Sequence, residues 1–177
     1  MKNTRKGFTL VELLAVIVIL AIIMIIAIPS VLGTMTTARQ KSFCEYVTKV
    51  YMAAENKYMA AQTLGTANIG NSYSITMNDG TKDVTVYIYD VKTDLGLENV
   101  GDYVGFVGVV KPSGSATKPS FYVALHDSNY TLFSNEGENK YYYEYTKEPT
   151  ADNLEDFVSE TDWETAIGKS SYTKVTS

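Results

Sequence analysis

From Leu13 to Ile28 every residue is apolar, and few folds of an ordinary soluble chain can absorb such a run. As a helix, Phe8 to Leu32 would be roughly 37 Å long at about 1.5 Å per residue, against a bilayer hydrocarbon core of about 30 Å. The run can therefore span a membrane. Its richness in Ile and Val disfavours helix in water, but lipid offers the backbone no other hydrogen-bonding partner. Lys2, Arg5 and Lys6 precede it with no acidic residue among them. Past residue 7 the balance is 12 basic against 20 acidic side chains. Basic residues just before an apolar span stay on the cytoplasmic side, so the remainder is expected outside.

Composition narrows the chemistry. The net charge of −5 leaves no basic field for bulk-charge binding to nucleic acid. Cys44 is the only cysteine, which excludes an internal disulfide and an all-cysteine zinc site. His126 is the only histidine. With Asp127 beside it and scattered serines it makes no recognised nucleophile motif, and it is expected on a surface or a sheet edge. No catalytic constellation, metal set or cofactor is expected. The 177 residues suit one domain with an appendage.

Glu12 stands inside the apolar stretch. A charge at the centre of a span costs about 2.5–3.5 kcal/mol on insertion scales, and less near its end, where the carboxylate can snorkel to the interface. A removable secretory signal has no use for it, although Val31-Leu32-Gly33 could pass as a cleavage site. Pro29 closes the run and Gly33 follows. A proline inside a helix removes a hydrogen bond and kinks it, or it ends the membrane helix there. Both readings put a joint at 29–33.

Lys6-Gly7-Phe8-Thr9-Leu10-Val11-Glu12-Leu13-Leu14 closely resembles the processing motif of type IV pilins and pseudopilins. The resemblance covers residues 1 to about 60. It implies that a membrane-embedded prepilin peptidase cuts between Gly7 and Phe8, that Phe8 is then N-methylated, and that the apolar segment is retained. Glycine before the cut leaves an unhindered bond. The resemblance further implies that Glu12 neutralises the terminal amine of a neighbouring subunit's Phe8. The competing reading pairs Glu12 with its own amine, aided by the helix dipole. The lone Cys44 departs from the C-terminal cysteine pair of many Gram-negative pilins, which suits a Gram-positive type.

Beyond the span, Phe43, Val47, Val50, Ala54, Tyr58 and Ala61 recur at steps of three and four, marking one apolar helical face. Lys41, Glu45 and Lys49 share another face, with Glu45→Lys49 the favoured order. Cys44 reads as a small buried apolar group. The expected organisation is a leader at 1–7, a membrane and filament-core helix at 8–33, an amphipathic half at 34–62 and a β-rich head at 63–177. Residues 64–72 read as a loop and Asn78-Asp79-Gly80 as a tight turn. Strands are expected over Tyr73–Met77, Val84–Val91, Tyr103–Val110 and Phe121–His126, with Tyr130–Phe133 and Tyr141–Tyr145 extending the sheet. Pro112–Pro119 reads as a loop. A helix at 153–167, capped by Asp152 or Thr150, would bury Leu154, Phe157, Val158, Trp163 and Ile167. Trp163 and the tyrosines of 141–145 would anchor that end. The eight acids of 144–164 lack EF-hand spacing and read as a solvated face. Asn129-Tyr130-Thr131 is a weak glycosylation match. The fold class is α+β, a long helix on an antiparallel meander.

The function these features imply is structural. A type IV pilus subunit would be processed by prepilin peptidase, lifted from the cytoplasmic membrane by an assembly ATPase and membrane platform, and packed with copies of itself and minor pilins into an extracellular filament. Such filaments serve adhesion, twitching motility or aggregation. Alternatives are a pseudopilin of a competence or secretion system and a non-polymerising membrane-anchored binding module.

Overall fold

The computed structural model describes residues 8–63, 71–76, 83–97, 101–111, 118–134, 141–167 and 173–174. The expected turn at 78–80, most of the loop at 64–72 and most of that at 112–119 lie outside them. Helix α1 runs Leu10–Thr63, 54 residues, through Pro29. The chain divides into two compact units, Met1–Arg39 and Gln40–Ser177.

In the second unit, α1 buries the face its periodicity marks. Phe43, Tyr46, Val47, Val50, Ala54 and Tyr58 are all buried. Glu45 pairs with Lys41 at 3.9 Å. The sequence favoured Lys49 as its partner, but both lysines lie one turn away and the pair is exposed, so little energy separates the choices. Cys44 is buried, as expected, and burial pushes its thiol up to about 11.

Among the described residues, eight short strands form one antiparallel sheet. They are β1 (Asn71–Thr76), β2 (Asp83–Asp90), β3 (Val104–Val110), β4 (Ser120–His126), β5 (Tyr130–Leu132), β6 (Tyr143–Glu144), β7 (Leu154–Asp156) and β8 (Thr173–Lys174). The order is β7-β5-β4-β3-β2-β1-β8, with β6 on the same edge of β4 as β5. Strands β1 to β4 are the expected meander, joined in sequence by antiparallel pairing. Alternation sorts their side chains. Tyr89, Val107, Val109, Phe121, Val123 and Leu125 face α1 in one core. Val86, Ile88, Phe106 and Ala124 face the other way. The helix side is rich in aromatic contacts: Tyr46 stacks on Tyr103 and Tyr51 on Tyr145, each at 3.9 Å. Gly105 and Gly108 permit close packing. A Cβ on Gly105 would lie 2.1 Å from the Ala124 carbonyl oxygen, and one on Gly108 2.8 Å from the Val86 side chain.

The opposite face is covered by the end of the chain, and here the structure corrects the sequence. No helix spans 153–167. A short 3₁₀ turn at Ala151–Asn153 leads into β7, and a second helix, α2 (Glu160–Ala166), is capped by Ser159, whose hydroxyl accepts the Asp162 N–H at 3.1 Å. Residues 154–156 pair with β5 instead, and Leu154 packs against the helix-side core. Tertiary pairing outweighs a short helical pattern there. Val158 points outward, 82% exposed. Trp163 and Tyr142 do serve as anchors: both are buried, and the Tyr142 hydroxyl donates to the Ile167 carbonyl at 2.6 Å.

Candidate functional site

Helix α1 starts at Leu10, so Phe8 and Thr9 are outside it. Thr9 is its cap. The Glu12 carboxylate, through Oε2, accepts both the Thr9 N–H and the Thr9 hydroxyl at 2.8 Å, and the Glu12 N–H donates to Thr9 Oγ1 at 3.3 Å. These reciprocal bonds form a capping box, the signature Thr-x-x-Glu of Thr9-Leu10-Val11-Glu12. The signature is present in the sequence, and it gives the Glu12 carboxylate a partner within its own chain. Gly7 lies outside the described residues. Phe8 is 88% exposed.

Among the described residues the apolar run is left exposed. Each large apolar side chain from Leu10 to Met35 is exposed to about half or more of its surface. The same helix is long and apolar enough to cross a membrane. Pro29 lacks an N–H, so the Ile25 carbonyl loses its usual partner four residues on. Around Gly33 three threonines satisfy their own hydroxyls. Thr34 donates to Val31 O at 2.9 Å, Thr36 to Leu32 O at 3.1 Å and Thr37 to Gly33 O at 3.1 Å. Back-bonding of this kind lets a hydroxyl leave water and slightly bends a helix.

His126 is the largest departure from expectation. It is 3% exposed, because its place in β4 points it to the sheet face covered by Phe157 and by Trp163 of α2. Its ring stacks flat on Phe157 at 4.3 Å and meets the edge of Trp163 at 4.5 Å. Nδ1 is 3.2 Å from the Asp127 carbonyl oxygen. Glu160 Oε2 is 2.9 Å from Nε2 but off the line of a hydrogen bond. A single-sequence reading cannot see this, because the partners lie more than thirty residues away. The acids of β7 and α2 are exposed or half-exposed, and among the described residues no three His, Cys, Asp or Glu side chains converge on a common metal position. Asn129 sits in the β4–β5 turn, where Asp127 Oδ1 accepts the N–H of Asn129 and of Tyr130. Thr131, which completes the glycosylation match, is buried.

No curated protein and no solved structure matches the chain. The family profile described as the prokaryotic N-terminal methylation motif matches residues 2–28. That span contains the basic start, Gly7, Phe8, the capping box and the apolar run up to Ile28. This chain therefore carries the prepilin signal of type IV pilins on an α+β fold.

Proposed function

We propose that the protein is a structural subunit of a type IV pilus. One observation carries the reading: a prepilin signal leads directly into an apolar helix whose large side chains are exposed among the described residues. Such a surface needs lipid first and copies of itself later. Prepilin peptidase cuts after Gly7 and methylates Phe8. Phe8, the residue that this cut would expose, precedes the first helical residue, Leu10. The membrane platform and its ATPase then move the helix from bilayer to filament, where apolar contacts replace lipid at little net cost. Pro29 and Gly33 give the helix its joint. The role is assembly, not catalysis, and the finished filament stands outside the cell for adhesion, aggregation or motility.

The capping box gives Glu12 two employments in sequence. Before assembly, Thr9 holds the carboxylate, a cap worth about 0.5–2 kcal/mol. In the filament a neighbour's Phe8 amine competes for it. Such a pair at about 4 Å is worth about 4 kcal/mol gross at an effective dielectric of 20, less the cost of desolvation. The exchange is favourable but small, which suits a step that sets register rather than one that holds the fibre together.

Two substitutions separate these roles. Glu12→Gln keeps an acceptor at the third helical position, so the box survives, but it removes the charge. Thr9→Ala removes the box and keeps the charge. We expect Glu12→Gln to abolish surface filaments and Thr9→Ala to leave them, as counted by electron microscopy. Filaments at normal density with Glu12→Gln overturn the ion-pair role. Mass spectrometry of the mature chain should find it starting at methylated Phe8. A start near Thr34 would mean ordinary secretion and end the pilin reading.

A further inference from the structure

The chain's end closes over one titratable ring. His126 is the only histidine in the chain, and histidine is the side chain whose charge ordinarily changes between about pH 5 and 8. Both of its ring nitrogens lie against oxygen. Nδ1 is 3.2 Å from the Asp127 carbonyl oxygen, and Nε2 is 2.9 Å from Glu160 Oε2. A neutral imidazole has one N–H, so in either tautomer one nitrogen turns a lone pair toward an oxygen that can only accept. The doubly protonated ring turns an N–H toward each. Its Glu160 contact is off the line of a hydrogen bond, but the attraction between opposite charges does not require that alignment. Phe157 lies parallel to the ring at 4.3 Å, and an aromatic face favours a cation. Burial opposes the charge, because it removes water from it.

The ionisable groups around the ring are acids and phenols. From α2 come Glu160 and, in the adjoining cleft, Asp162. Asp156 and Tyr141 line the same cleft. Glu155 is in register with Thr131, which is itself in register with His126. On the other side β3 places Val104 opposite the histidine. In the turn after β4, the Asp127 carboxylate accepts the N–H groups of Asn129 and Tyr130. No Lys or Arg occurs from Glu148 to Glu164, so that segment brings the ring no competing cation. Glu160 is the first residue of α2, and the far end of that helix is tied by the Tyr142 hydroxyl to the Ile167 carbonyl. We propose that His126 and Glu160 form a proton-operated clasp. It fastens the start of α2 to β4 when the ring is charged and slackens when the ring is neutral, the proton being exchanged with solvent. Acidity then tightens the cover over the second face of the sheet. The clasp goes beyond the pilus reading, since it belongs to the head and needs neither processing nor filament formation.

Hydrogen exchange of the full-length protein in detergent tests this at about pH 5.5 and about pH 8, either side of the ordinary histidine transition, with each rate divided by that of an unstructured chain at the same pH. The Trp163 and Ile167 N–H groups close the turns of α2 onto the Ser159 and Trp163 carbonyls. The Glu160 side chain is half exposed, so the tie is weak, and we expect these amides to be about threefold better protected at the lower pH. Glu160→Gln, at an exposed position, removes the charge and should remove the difference. His126→Phe keeps a flat ring against Phe157 and should do the same; if it folds poorly, Glu160→Gln carries the test alone. Trp163, the only tryptophan, meets the His126 ring at 4.5 Å, so its fluorescence should follow the charge of the ring in the parent and lose that response in His126→Phe. The proposal is overturned by equal protection of α2 at the two pH values, by weaker protection at the lower one, or by a difference that Glu160→Gln leaves intact, which would assign it to the other acids around the ring.

Discussion

The two stretches of α1 belong to one helix and obey different solvents. Residues 10–35 carry apolar side chains on every side, all exposed. Residues 43–58 carry a single apolar face, and it is buried. Backbone hydrogen bonding is the same in both. The difference lies in what the chain provides to cover them. The second stretch has a sheet built by its own sequence, whereas the first stays exposed among the described residues and is long and apolar enough to cross a membrane. An all-round apolar helix is a statement about partners, and an amphipathic one is a statement about its own domain.

Matched truncations test that contrast most severely. Phe43→Ala should destabilise the head by about 3–5 kcal/mol, read by thermal or denaturant unfolding of the full chain in detergent. Ile19→Ala should leave the same transition in place. A head transition that moves with Ile19 would mean the two stretches share a core after all. Next in size is Gly105→Ala. Its φ of +154° and the Ala124 carbonyl in the path of a Cβ lead us to expect a loss of about 3 kcal/mol from strain and overpacking.

Alkaline titration should separate the stretches by chemistry. Burial pushes the Tyr89 phenol up to about 12 and the Cys44 thiol up to about 11. The folded head thus holds protons that the unfolded chain releases near pH 9 to 10, so its stability is unaffected below that range and falls as pH rises through 10 to 12. Circular dichroism of the head's sheet across that range checks the direction. At pH 8 the Cys44 thiol should resist a thiol reagent until denaturant is added. The smallest effect belongs to the exposed Lys41–Glu45 pair: Lys41→Ala should shift stability by less than about 0.5 kcal/mol.

How much was legible follows the range of the interactions. The apolar run, the buried face of α1 and the meander of β1 to β4 were visible because each is written in local period, three to four residues for helix and two for strand. The capping box is equally local, a four-residue pattern in which Thr9 and Glu12 satisfy each other. The failures came at the chain's end. Residues 153–167 have a helical pattern, yet Leu154–Asp156 pair with β5, a contact that no window of that length contains.

His126 shows the same division most sharply. Its sequence context, a strand end beside Asp127, is that of a surface residue. The fold brings Phe157 and Trp163 over it and sets Glu160 Oε2 2.9 Å from its Nε2. Sequence by itself determined that a prepilin signal opens the chain and that an apolar helix must find cover outside it, because a peptidase motif and hydrophobic periodicity are properties of neighbouring residues. Only the tertiary structure decided that the second face of the sheet is closed by the chain's end, and which polar groups are trapped beneath, because burial depends on elements that meet only once the chain has folded.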